Sequence, residues 1–158
     1  VGRHGHGSIT AIYTVLAEGD DAADPIVDIA RASLDGQVML SRKLADSAHY
    51  PAIDLTGSIS RLMQSLLNSE DMKSANKLRR LWSIYQQNQD LIQVGAYEAG
   101  SNPELDAAIR LRPVMEEFLQ QDMNSPMTFS ACLATVAHLQ ARGRRPGIIS
   151  RGYGRSGA

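Results

Sequence analysis

The sequence is short of the features that mark secreted and membrane proteins. Its 158 residues include a single cysteine, Cys132, which cannot form an internal disulfide and therefore favours a reducing compartment. No apolar run approaches the roughly 18 residues that a membrane-spanning helix needs. Residues 1–7 carry no apolar stretch behind a basic start, so a signal peptide is not predicted. Because the first residue is Val rather than Met, we expect the chain to be part of a longer protein.

Motifs that bind the phosphates of a nucleotide are also missing. The sequence contains no Gly-x-x-x-x-Gly-Lys-Ser/Thr segment, and no apolar run ends in an Asp that would clearly supply a magnesium ligand. Without a phosphate-binding loop, the chain by itself is not expected to hydrolyse a nucleotide.

Charge is divided unevenly along the chain. The formal net charge is -1, yet all 17 acidic residues lie before position 142, and residues 142–158 contain five arginines and no acid. We predict that this Arg/Gly tail is disordered, because it offers nothing to bury. Attraction of the whole protein to nucleic acid is not indicated, since the positive charge is confined to the tail.

The first part of the chain is predicted to be an α/β unit. Residues 8–16 are β-branched and almost wholly apolar, which is typical of a strand buried on both faces of a parallel sheet. After an acidic loop, Asp24-Pro25 predicts the start of a helix that stops at Asp35-Gly36. Residues 37–41 predict a second strand, so that strand, helix and strand form a right-handed crossover. Two strands are too few for a stable sheet, so further strands are expected upstream.

The second part of the chain has the three- and four-residue apolar period of amphipathic helices. We predict one helix capped by Ser69, a second that begins at Asn102-Pro103, and a last one that opens at Ser125-Pro126. Pro113 is expected to break or restart the second helix. These helices together predict a small helical bundle.

The predicted organisation is therefore an α/β part followed by helices. Residues 1–64 are the end of an α/β domain, residues 65–141 form the helical domain, and residues 142–158 are the Arg/Gly tail. No internal repeat is visible.

Two candidate sites have structural explanations that we favour over functional ones. His4 and His6 have the His-x-His spacing of some metal sites, but no third ligand follows at a suitable spacing, and a glycine-rich lead-in explains them as well. Cys132 lies on the apolar face of the last predicted helix with no nearby base, so we interpret it as a core cysteine rather than a nucleophile. No metal site is predicted.

Tyr50 and Arg61 each have two interpretations on pattern alone. Tyr50 precedes Pro51, which biases it toward an extended conformation. Its ring could pack in the core, which the spacing favours, or stack on a planar ligand such as adenine. Arg61 lies at the seam between the α/β part and the helices, and by default it is a surface or salt-bridge residue. Its guanidinium could instead reach the phosphates of a neighbouring subunit.

Several segments resemble the ATPases of flagellar and type III protein export, which are homologous to the catalytic subunit of rotary ATP synthases. The similarity is dense and in order over residues 7–121. A later segment is more similar to the flagellar branch of the family, the flagellum-specific ATP synthases. The segments are residues 7–21 (GSITAxYTVLxEGDD), 24–26 (DPI), 34–36 (LDG), 40–45 (LSRKLA), 49–54 (HYPAID), 58–61 (SISR) and, for the flagellar branch, 90–103 (DLIxVGAYxxGSxP).

The resemblance implies a fold and an activity for the complete protein. The fold would comprise an N-terminal β-barrel, a RecA-like P-loop nucleotide-binding core and a C-terminal helical domain, of which this chain holds the end of the core and the helices. The protein would hydrolyse ATP with Mg²⁺ as a homohexamer in the cytoplasm, peripherally associated with the bacterial inner membrane. It would unfold export substrates and feed them into a secretion channel. Its partners would be export chaperones, a central stalk protein and the inner-membrane export apparatus, with no nucleic acid.

The resemblance also implies roles for individual residues. Tyr50 matches the aromatic residue that stacks on the adenine of bound ATP, which reverses the preference from spacing alone. Arg61 matches the arginine finger that enters the active site of the neighbouring subunit. Asp20, Asp21 and Asp24 match a loop that faces the central pore, where a stalk protein rotates or docks. The family's P-loop Lys and Thr, catalytic Glu and magnesium-binding Asp are expected before the first residue of this chain.

A non-catalytic function is the alternative. In that case the helical bundle would bind export chaperones or a stalk protein, and the residues at the subunit edge would have no catalytic role. Nucleic-acid binding through the Arg/Gly tail is disfavoured, because the tail holds one aromatic residue, Tyr153, and no folded reader lies beside it.

Overall fold

A computed structural model describes residues 2–16 and 25–143 of the chain, which form four strands and seven helices. Within these two ranges no helix combines the length and the apolar character that crossing a membrane requires. The α/β elements come first and the long helices follow, as predicted. In chain order the elements are β1 (Gly2–His4), β2 (Gly7–Ile9), α1 (Pro25–Ser33), β3 (Gly36–Leu40), α2 (Arg42–Asp46), β4 (Ile53–Ser60), α3 (Met63–Leu66), α4 (Ser69–Gln87), α5 (Gln89–Gln93), α6 (Pro103–Leu119) and α7 (Phe129–Gly143).

β3 and β4 form a two-stranded antiparallel sheet. Gln37 lies opposite Ile59 and Met39 lies opposite Asp54. Between these two pairs β3 has one residue and β4 has four, so β4 bulges out of the ladder. The sequence did not predict β4, because its central residues, Thr56 and Gly57, interrupt the pattern of a regular strand.

The strand predicted over residues 8–16 is wrong beyond its first residues. β2 ends at Ile9 and pairs antiparallel with β1 in a short hairpin. Residues 10–16 have no regular structure, and Ile12 and Leu16 are 94% and 91% exposed. An apolar segment becomes a strand only beside another strand, which completes its backbone hydrogen bonds, and in the described part of the chain none pairs with it.

The predicted crossover is wrong for the same reason. β3 does not pair with the segment that precedes α1; its partner is β4, which follows it in the chain and runs antiparallel to it. α1 and β3 themselves lie where the sequence predicts them, with the break at Asp35-Gly36. The local elements are therefore confirmed, whereas the way in which the strands pair is not.

Two asparagines cap the long helices α4 and α6. The side-chain oxygen of Asn68 accepts hydrogen bonds from two backbone N–H groups of the first turn at 2.8 and 3.0 Å. That of Asn102 does the same at 3.0 and 3.2 Å. Pro103 takes the first position of α6, as predicted. The predicted cap Ser69 is wrong by one residue, since the amide of Asn68 already supplies the acceptor and Ser69 begins the helix.

α6 continues through Pro113 instead of breaking there. A proline inside a helix removes one backbone hydrogen bond and crowds the preceding turn. Leu111 and Met115, on either side of it, are buried in the core, with exposed fractions of 4% and 1%. Packing of both flanks against the other helices outweighs the local cost, which the sequence pattern alone does not include.

α7 begins at Phe129, three residues later than Ser125-Pro126 predicts. The hydroxyl oxygen of Thr128 accepts a 3.3 Å hydrogen bond from the N–H of Ala131, which is the contact of a helix N-cap. The helix runs to Gly143, so the first two residues of the predicted tail are helical. The rest of the tail lies outside the described residues.

The hydrophobic core lies between α4, α6 and α7, and the predicted helical bundle is confirmed. Trp82 is 2% exposed. The guanidinium of Arg112 lies 3.8 Å from the centre of the Trp82 ring and 4.5 Å from that of Tyr85, and it pairs with Glu116 at 2.6 Å. Arg112 thus makes cation–π contacts with a ring of the core, Trp82, and with a partly buried ring packed against it, Tyr85. The buried cluster consists of Leu78, Leu81, Trp82, Ala108, Leu111, Met115 and Leu139.

Candidate functional site

The loop that carries Tyr50 begins where α2 ends. Ala48 adopts a left-handed backbone conformation, with a φ of 57°. The N–H of Ala48 donates to the carbonyl of Ala45 at 2.9 Å, and the N–H of His49 donates to the carbonyl of Leu44 at 2.9 Å. These two bonds form a Schellman motif, which reverses the chain after a helix. The backbone after α2 therefore determines where His49 and Tyr50 emerge.

The side chain of Tyr50 lies at the surface. It is 59% exposed, and the backbone carbonyl of Tyr50 accepts a 3.1 Å hydrogen bond from the N–H of Gln121, just beyond the end of α6. The peptide bond between Tyr50 and Pro51 is cis. The interpretation of Tyr50 as a core residue, which spacing alone favoured, is therefore wrong. Stacking of the ring on a base stays a prediction.

His49, the residue before Tyr50, is buried. Only 5% of it is exposed, and its Nδ1 lies 3.2 Å from the side-chain Nε2 of Gln120, the C-cap of α6. Its ring centre is 6.4 Å from that of Trp82, with the planes tilted by 55°. Adjacent residues of one loop thus have opposite environments, His49 against the helical core and Tyr50 in solvent.

The guanidinium of Arg61 lies against the end of α1. Its Nη1 donates to the carbonyl of Ala32 at 3.3 Å and its Nη2 to the carbonyl of Arg31 at 3.2 Å. The last carbonyls of a helix lack partners within the helix and carry partial negative charge, so a cation is stabilised there. The side chain is exposed, and in the described part of the chain it forms no ion pair. Arg61 is therefore a surface residue rather than the partner of a carboxylate.

A close approach between the two strands determines where Arg61 leaves the sheet. Gly36 lies opposite Ser60, and a Cβ at Gly36 would come within 2.7 Å of the carbonyl oxygen of Ile59. Only glycine leaves room for that oxygen. The backbone N–H of Arg61 then donates to the carbonyl of Asp35 at 2.8 Å, so the arginine is attached to the loop between α1 and β3.

Tyr50 and Arg61 lie at opposite ends of the β3–β4 ladder. Tyr50 comes three residues before β4, and Arg61 follows it directly. β3 has five residues, and at about 3.4 Å per residue the two ends of the ladder are roughly 14 Å apart. The two side chains therefore emerge at different edges of the sheet.

Asp54 organises the bulge of β4 between these two ends. Its Oδ1 accepts hydrogen bonds from the N–H and the hydroxyl of Thr56, at 2.8 and 2.7 Å, and from the N–H of Gly57 at 3.1 Å. Partial burial by itself raises the pKa of Asp54, but the hydrogen bonds together outweigh it and hold the pKa below its ordinary value of 3.8. The charged carboxylate thus stabilises the local turn over residues 54–57 by accepting its hydrogen bonds.

β4 also contacts the helical unit directly. Nη2 of Arg79, on α4, donates to the carbonyl of Ser58 at 3.1 Å. Leu55 packs against the buried cluster of the helices. Both the strand and the Tyr50 loop that precedes it therefore lie on the helical unit.

The other residues weighed in the sequence do not join this site. His4 and His6 are exposed in and beside the β1–β2 hairpin, and Cys132 is partly buried on α7. Within residues 2–16 and 25–143 no group of three or more His, Cys, Asp and Glu could hold a metal ion. The predicted pore-loop residues Asp20, Asp21 and Asp24 lie outside the described residues.

Sequence reasoning did not single out the residues that hold the Tyr50 loop. The sequence pattern gives His49 no role apart from the motif 49–54, and it does not point to Gln120 or Gln121. His49 and Gln120 are 71 positions apart, so no local pattern connects them. The one available signal is a histidine placed directly before Tyr-Pro after a short helix.

Two protein families match consecutive parts of the chain. Residues 1–60 match the nucleotide-binding domain of the ATP synthase alpha/beta family. Residues 67–138 match the C-terminal domain of the type III secretion ATPase EscN. The first match contains the α/β elements with Tyr50, and the second contains most of the helical unit.

Individual relatives match across both parts. A flagellum-specific ATP synthase of Pseudomonas aeruginosa is 51% identical over 140 residues, which are 89% of this chain and 31% of the relative. A flagellum-specific ATP synthase of Salmonella typhimurium is 56% identical over 120 residues, which are 76% of this chain and 26% of the relative. The chain belongs to the family of flagellar and type III secretion ATPases. It spans less than a third of the length of these curated relatives.

Solved structures of the family have the same fold. The assembled ATPase EscN from the type III secretion system of enteropathogenic E. coli matches 84% of this chain with a TM-score of 0.80 and 39% identity, over 32% of its own length. EscN in complex with its central stalk EscO matches 84% with a TM-score of 0.76 and 37% identity, over 31% of its length. The predicted fold class is confirmed: the end of a RecA-like nucleotide-binding core is followed by the helical C-terminal domain of the family.

Proposed function

We propose that the complete protein is an ATP-hydrolysing subunit of a hexameric protein-export ATPase of a flagellar or type III secretion system. The observation that carries this proposal is 51% identity to a flagellum-specific ATP synthase over 89% of the chain. In this proposal residues 1–64 end the nucleotide-binding core, residues 65–141 form the helical domain, and residues 142–158 are a separate Arg/Gly tail.

Tyr50 is the residue that we assign to the adenine of ATP. Tyr50 is 59% exposed while its backbone is held by Gln121, so its ring is available to a ligand at a defined place. Stacking between a base and an aromatic ring contributes about 1–3 kcal/mol. Tyr50→Ala should therefore weaken nucleotide affinity, and Tyr50→Phe should be mild because stacking does not need the hydroxyl.

Arg61 is the residue that we assign to the active site of the neighbouring subunit. Its guanidinium is exposed and lies on two carbonyls at 3.2 and 3.3 Å. Breaking hydrogen bonds to two neutral carbonyls at the surface costs less free energy than breaking an ion pair with a buried carboxylate. The side chain is therefore available to reach a phosphate. A guanidinium there neutralises charge that develops during phosphoryl transfer.

ATP and Mg²⁺ are the cofactors of this proposal. The exposed ring of Tyr50 fits a base and the exposed guanidinium of Arg61 fits phosphate oxygens, whereas residues 2–16 and 25–143 contain no acidic cluster suited to Mg²⁺. By similarity to the family, we assign the phosphate-binding Lys and Thr, the catalytic Glu and the magnesium-binding Asp to sequence upstream. Bound ATP supplies the phosphoryl group that is transferred to water.

The proposal extends to assembly and partners by similarity to the relatives. EscN is described both as an assembled ATPase and in complex with its central stalk EscO. By similarity, this protein forms a homohexamer whose Asp20, Asp21 and Asp24 face a central pore and a stalk protein. Its further partners are export chaperones and their substrates. We propose that it is cytoplasmic and associates peripherally with the export apparatus of the inner membrane.

Replacement of Arg61 in the full-length protein tests the proposal. Arg61→Ala should lower ATP hydrolysis by about 10³-fold or more, because an arginine finger acts on the transition state. Nucleotide affinity should stay nearly unchanged, because the charge that the finger neutralises develops only in the transition state and not in bound ATP. Phosphate release measures the first quantity, and binding of N-methylanthraniloyl-ATP measures the second.

Arg80→Ala is the matched control. Arg80 is also an exposed arginine, but it lies on α4 and pairs with Glu104 at 2.9 Å, so its loss should change neither quantity. Equal turnover of Arg61→Ala and the wild type would remove the role of Arg61. A wild-type protein that binds stalk or chaperone but hydrolyses no ATP would favour the non-catalytic interaction module instead.

A further inference from the structure

The contacts behind Tyr50 point to a second group of residues that act on the nucleotide indirectly. We infer that three residues, His49, Gln120 and Gln121, are positioning residues. They hold the Tyr50 ring where it stacks on the adenine base, and they thereby raise the affinity for ATP. The inference rests on the proposed function, because it takes Tyr50 as the residue that stacks on adenine.

Packing positions the side chain of Tyr50 only in part. With 59% of the residue in solvent, its location depends on the backbone from which it projects. No hydrogen bond of its hydroxyl is found in the described part of the chain. The groups that hold residues 49 and 50 therefore determine where the ring stands.

Gln121 holds the backbone of Tyr50 itself. Its N–H donates to the carbonyl of Tyr50 at 3.1 Å, and this residue lies two positions beyond the last residue of α6. The bond joins two segments that are distant in sequence, so it fixes the loop relative to the helical unit and not only relative to α2.

His49 provides the second attachment, one residue earlier. It is 5% exposed, its Nδ1 lies 3.2 Å from Nε2 of Gln120, and its ring packs near Trp82. A buried imidazole that lost its partner would cost stability, since its polar nitrogen would lie without a hydrogen bond. The histidine thus keeps the loop seated on the helices while Tyr50 remains in solvent.

Two attachments at successive residues reduce the range of positions that the Tyr50 ring can occupy before a nucleotide binds. A ring that is ordered in advance loses less freedom on binding, so more of the stacking free energy appears as affinity. Removal of either attachment should therefore weaken ATP while the stacking residue itself is still present. A ligand that has phosphates but no base should bind with unchanged affinity.

The hydrogen bond from Gln121 is tested with Gln121→Pro in the full-length protein. Proline removes the N–H, and Gln120 already has the backbone angles (φ -85°, ψ 118°) that a residue before proline adopts. The dissociation constant of N-methylanthraniloyl-ATP should rise about threefold to tenfold, as expected for one lost hydrogen bond. Gln121→Ala, which keeps the N–H, is the matched control and should bind like the wild type.

Gln120→Ala tests the attachment through His49 without changing the backbone. It should raise the dissociation constant about twofold to fivefold, less than Gln121→Pro, because this hydrogen bond holds His49 and not Tyr50 itself. Inorganic tripolyphosphate has phosphates but no base. Its inhibition constant, measured by competition with N-methylanthraniloyl-ATP, should be unchanged in every variant. A variant that merely unfolds would lose both ligands together, and its thermal midpoint would fall.

Tyr50→Ala distinguishes failure of the inference from failure of the proposed function. It should raise the dissociation constant about fivefold to a hundredfold, the range expected for a lost base–aromatic stack. Unchanged affinity in Tyr50→Ala would overturn the role of Tyr50 and the positioning role with it. Weakened binding in Tyr50→Ala, with no change in Gln121→Pro and Gln120→Ala, would overturn the positioning role alone.

Discussion

The helical unit over residues 69–143 and the α/β part over residues 25–62 bury their apolar side chains to very different extents. In the described part of the chain, all eight buried apolar residues belong to the helical unit. The α/β part has large apolar side chains in solvent on α1, β3 and β4; they include Ile29, Val38, Leu40, Ile53 and Ile59. One region thus has its own core, and the other presents apolar surface on which partners can pack.

The difference follows from how the two kinds of element satisfy their backbone. A helix completes its hydrogen bonds internally and needs only one apolar stripe covered, which neighbouring helices supply. A two-stranded sheet leaves open edges and at least one open face. In the proposed complete protein, the rest of the nucleotide-binding core and the adjacent subunits would cover those surfaces.

The largest effect is expected from Trp82→Ala. It should lower the free energy of unfolding by about 3–5 kcal/mol, as other large-to-small changes in cores do, because Trp82 is 2% exposed and contacts both His49 and Arg112. Urea denaturation followed by circular dichroism measures the loss. Val38→Ala, in the α/β part at 67% exposure, should cost less than about 0.5 kcal/mol. Equal losses in both variants would contradict the contrast between the two regions.

Gly36→Ala tests whether the α/β part depends on one close approach. The added Cβ would lie 2.7 Å from the carbonyl oxygen of Ile59, so the strands must separate, at a cost of about 1–3 kcal/mol. Gly7→Ala is the control, since its Cβ would meet only the His4 carbonyl oxygen at 4.0 Å. Thermal unfolding of both variants checks this, and a Gly36→Ala variant as stable as the wild type would show that the approach is not required.

Ala48→Gly should stabilise the end of α2. Ala48 has a φ of 57°, and an L-residue other than glycine pays about 1 kcal/mol or more in that conformation. The thermal midpoint should therefore rise in Ala48→Gly. Ala45→Gly, inside the same helix, is the opposite control and should lower stability by about 1 kcal/mol. A fall in both variants would mean that the flexibility of glycine outweighs the relief.

The smallest effect is expected from the pH dependence that Asp54 contributes. Its pKa is lowered in the folded state, because hydrogen bonds outweigh the effect of burial. The stability that these bonds give is therefore present above the unfolded-state value of 3.8 and is lost as the pH falls through the lower folded-state pKa. The stability difference between the wild type and Asp54→Asn should be constant above about pH 5 and shrink below it. A difference that grows in acid would contradict the lowered pKa.

Much of the local structure could be predicted from short patterns. Asn102-Pro103 starts α6, Asp35-Gly36 ends α1, and the three- and four-residue period identifies the bundle. These features depend on residues within one or two turns of each other. Where a cap was misplaced, a nearby polar residue accepts the hydrogen bonds of the first turn instead: Asn68 rather than Ser69, and Thr128 rather than Ser125.

The roles of Tyr50 and Arg61 stay predictions, and the sequence did not point to the residues that contact the Tyr50 loop. The family resemblance pointed to Tyr50 and Arg61, and the structure gives both of them surface positions. It did not point to the contacts of His49 and Gln121, because these join segments about 70 positions apart.

By itself, the sequence determined the family, the end of α1, the start of α6 and the helical period of the bundle, because each depends on neighbouring residues or on a linear motif. Only the tertiary structure decided which strand pairs with β3, that α6 stays continuous at Pro113, and that His49 is buried while Tyr50 is exposed. Those outcomes depend on packing free energy between distant segments, which a linear pattern does not contain. The same physical distinction separates the helical unit, which closes on itself, from the α/β part, whose apolar faces remain open.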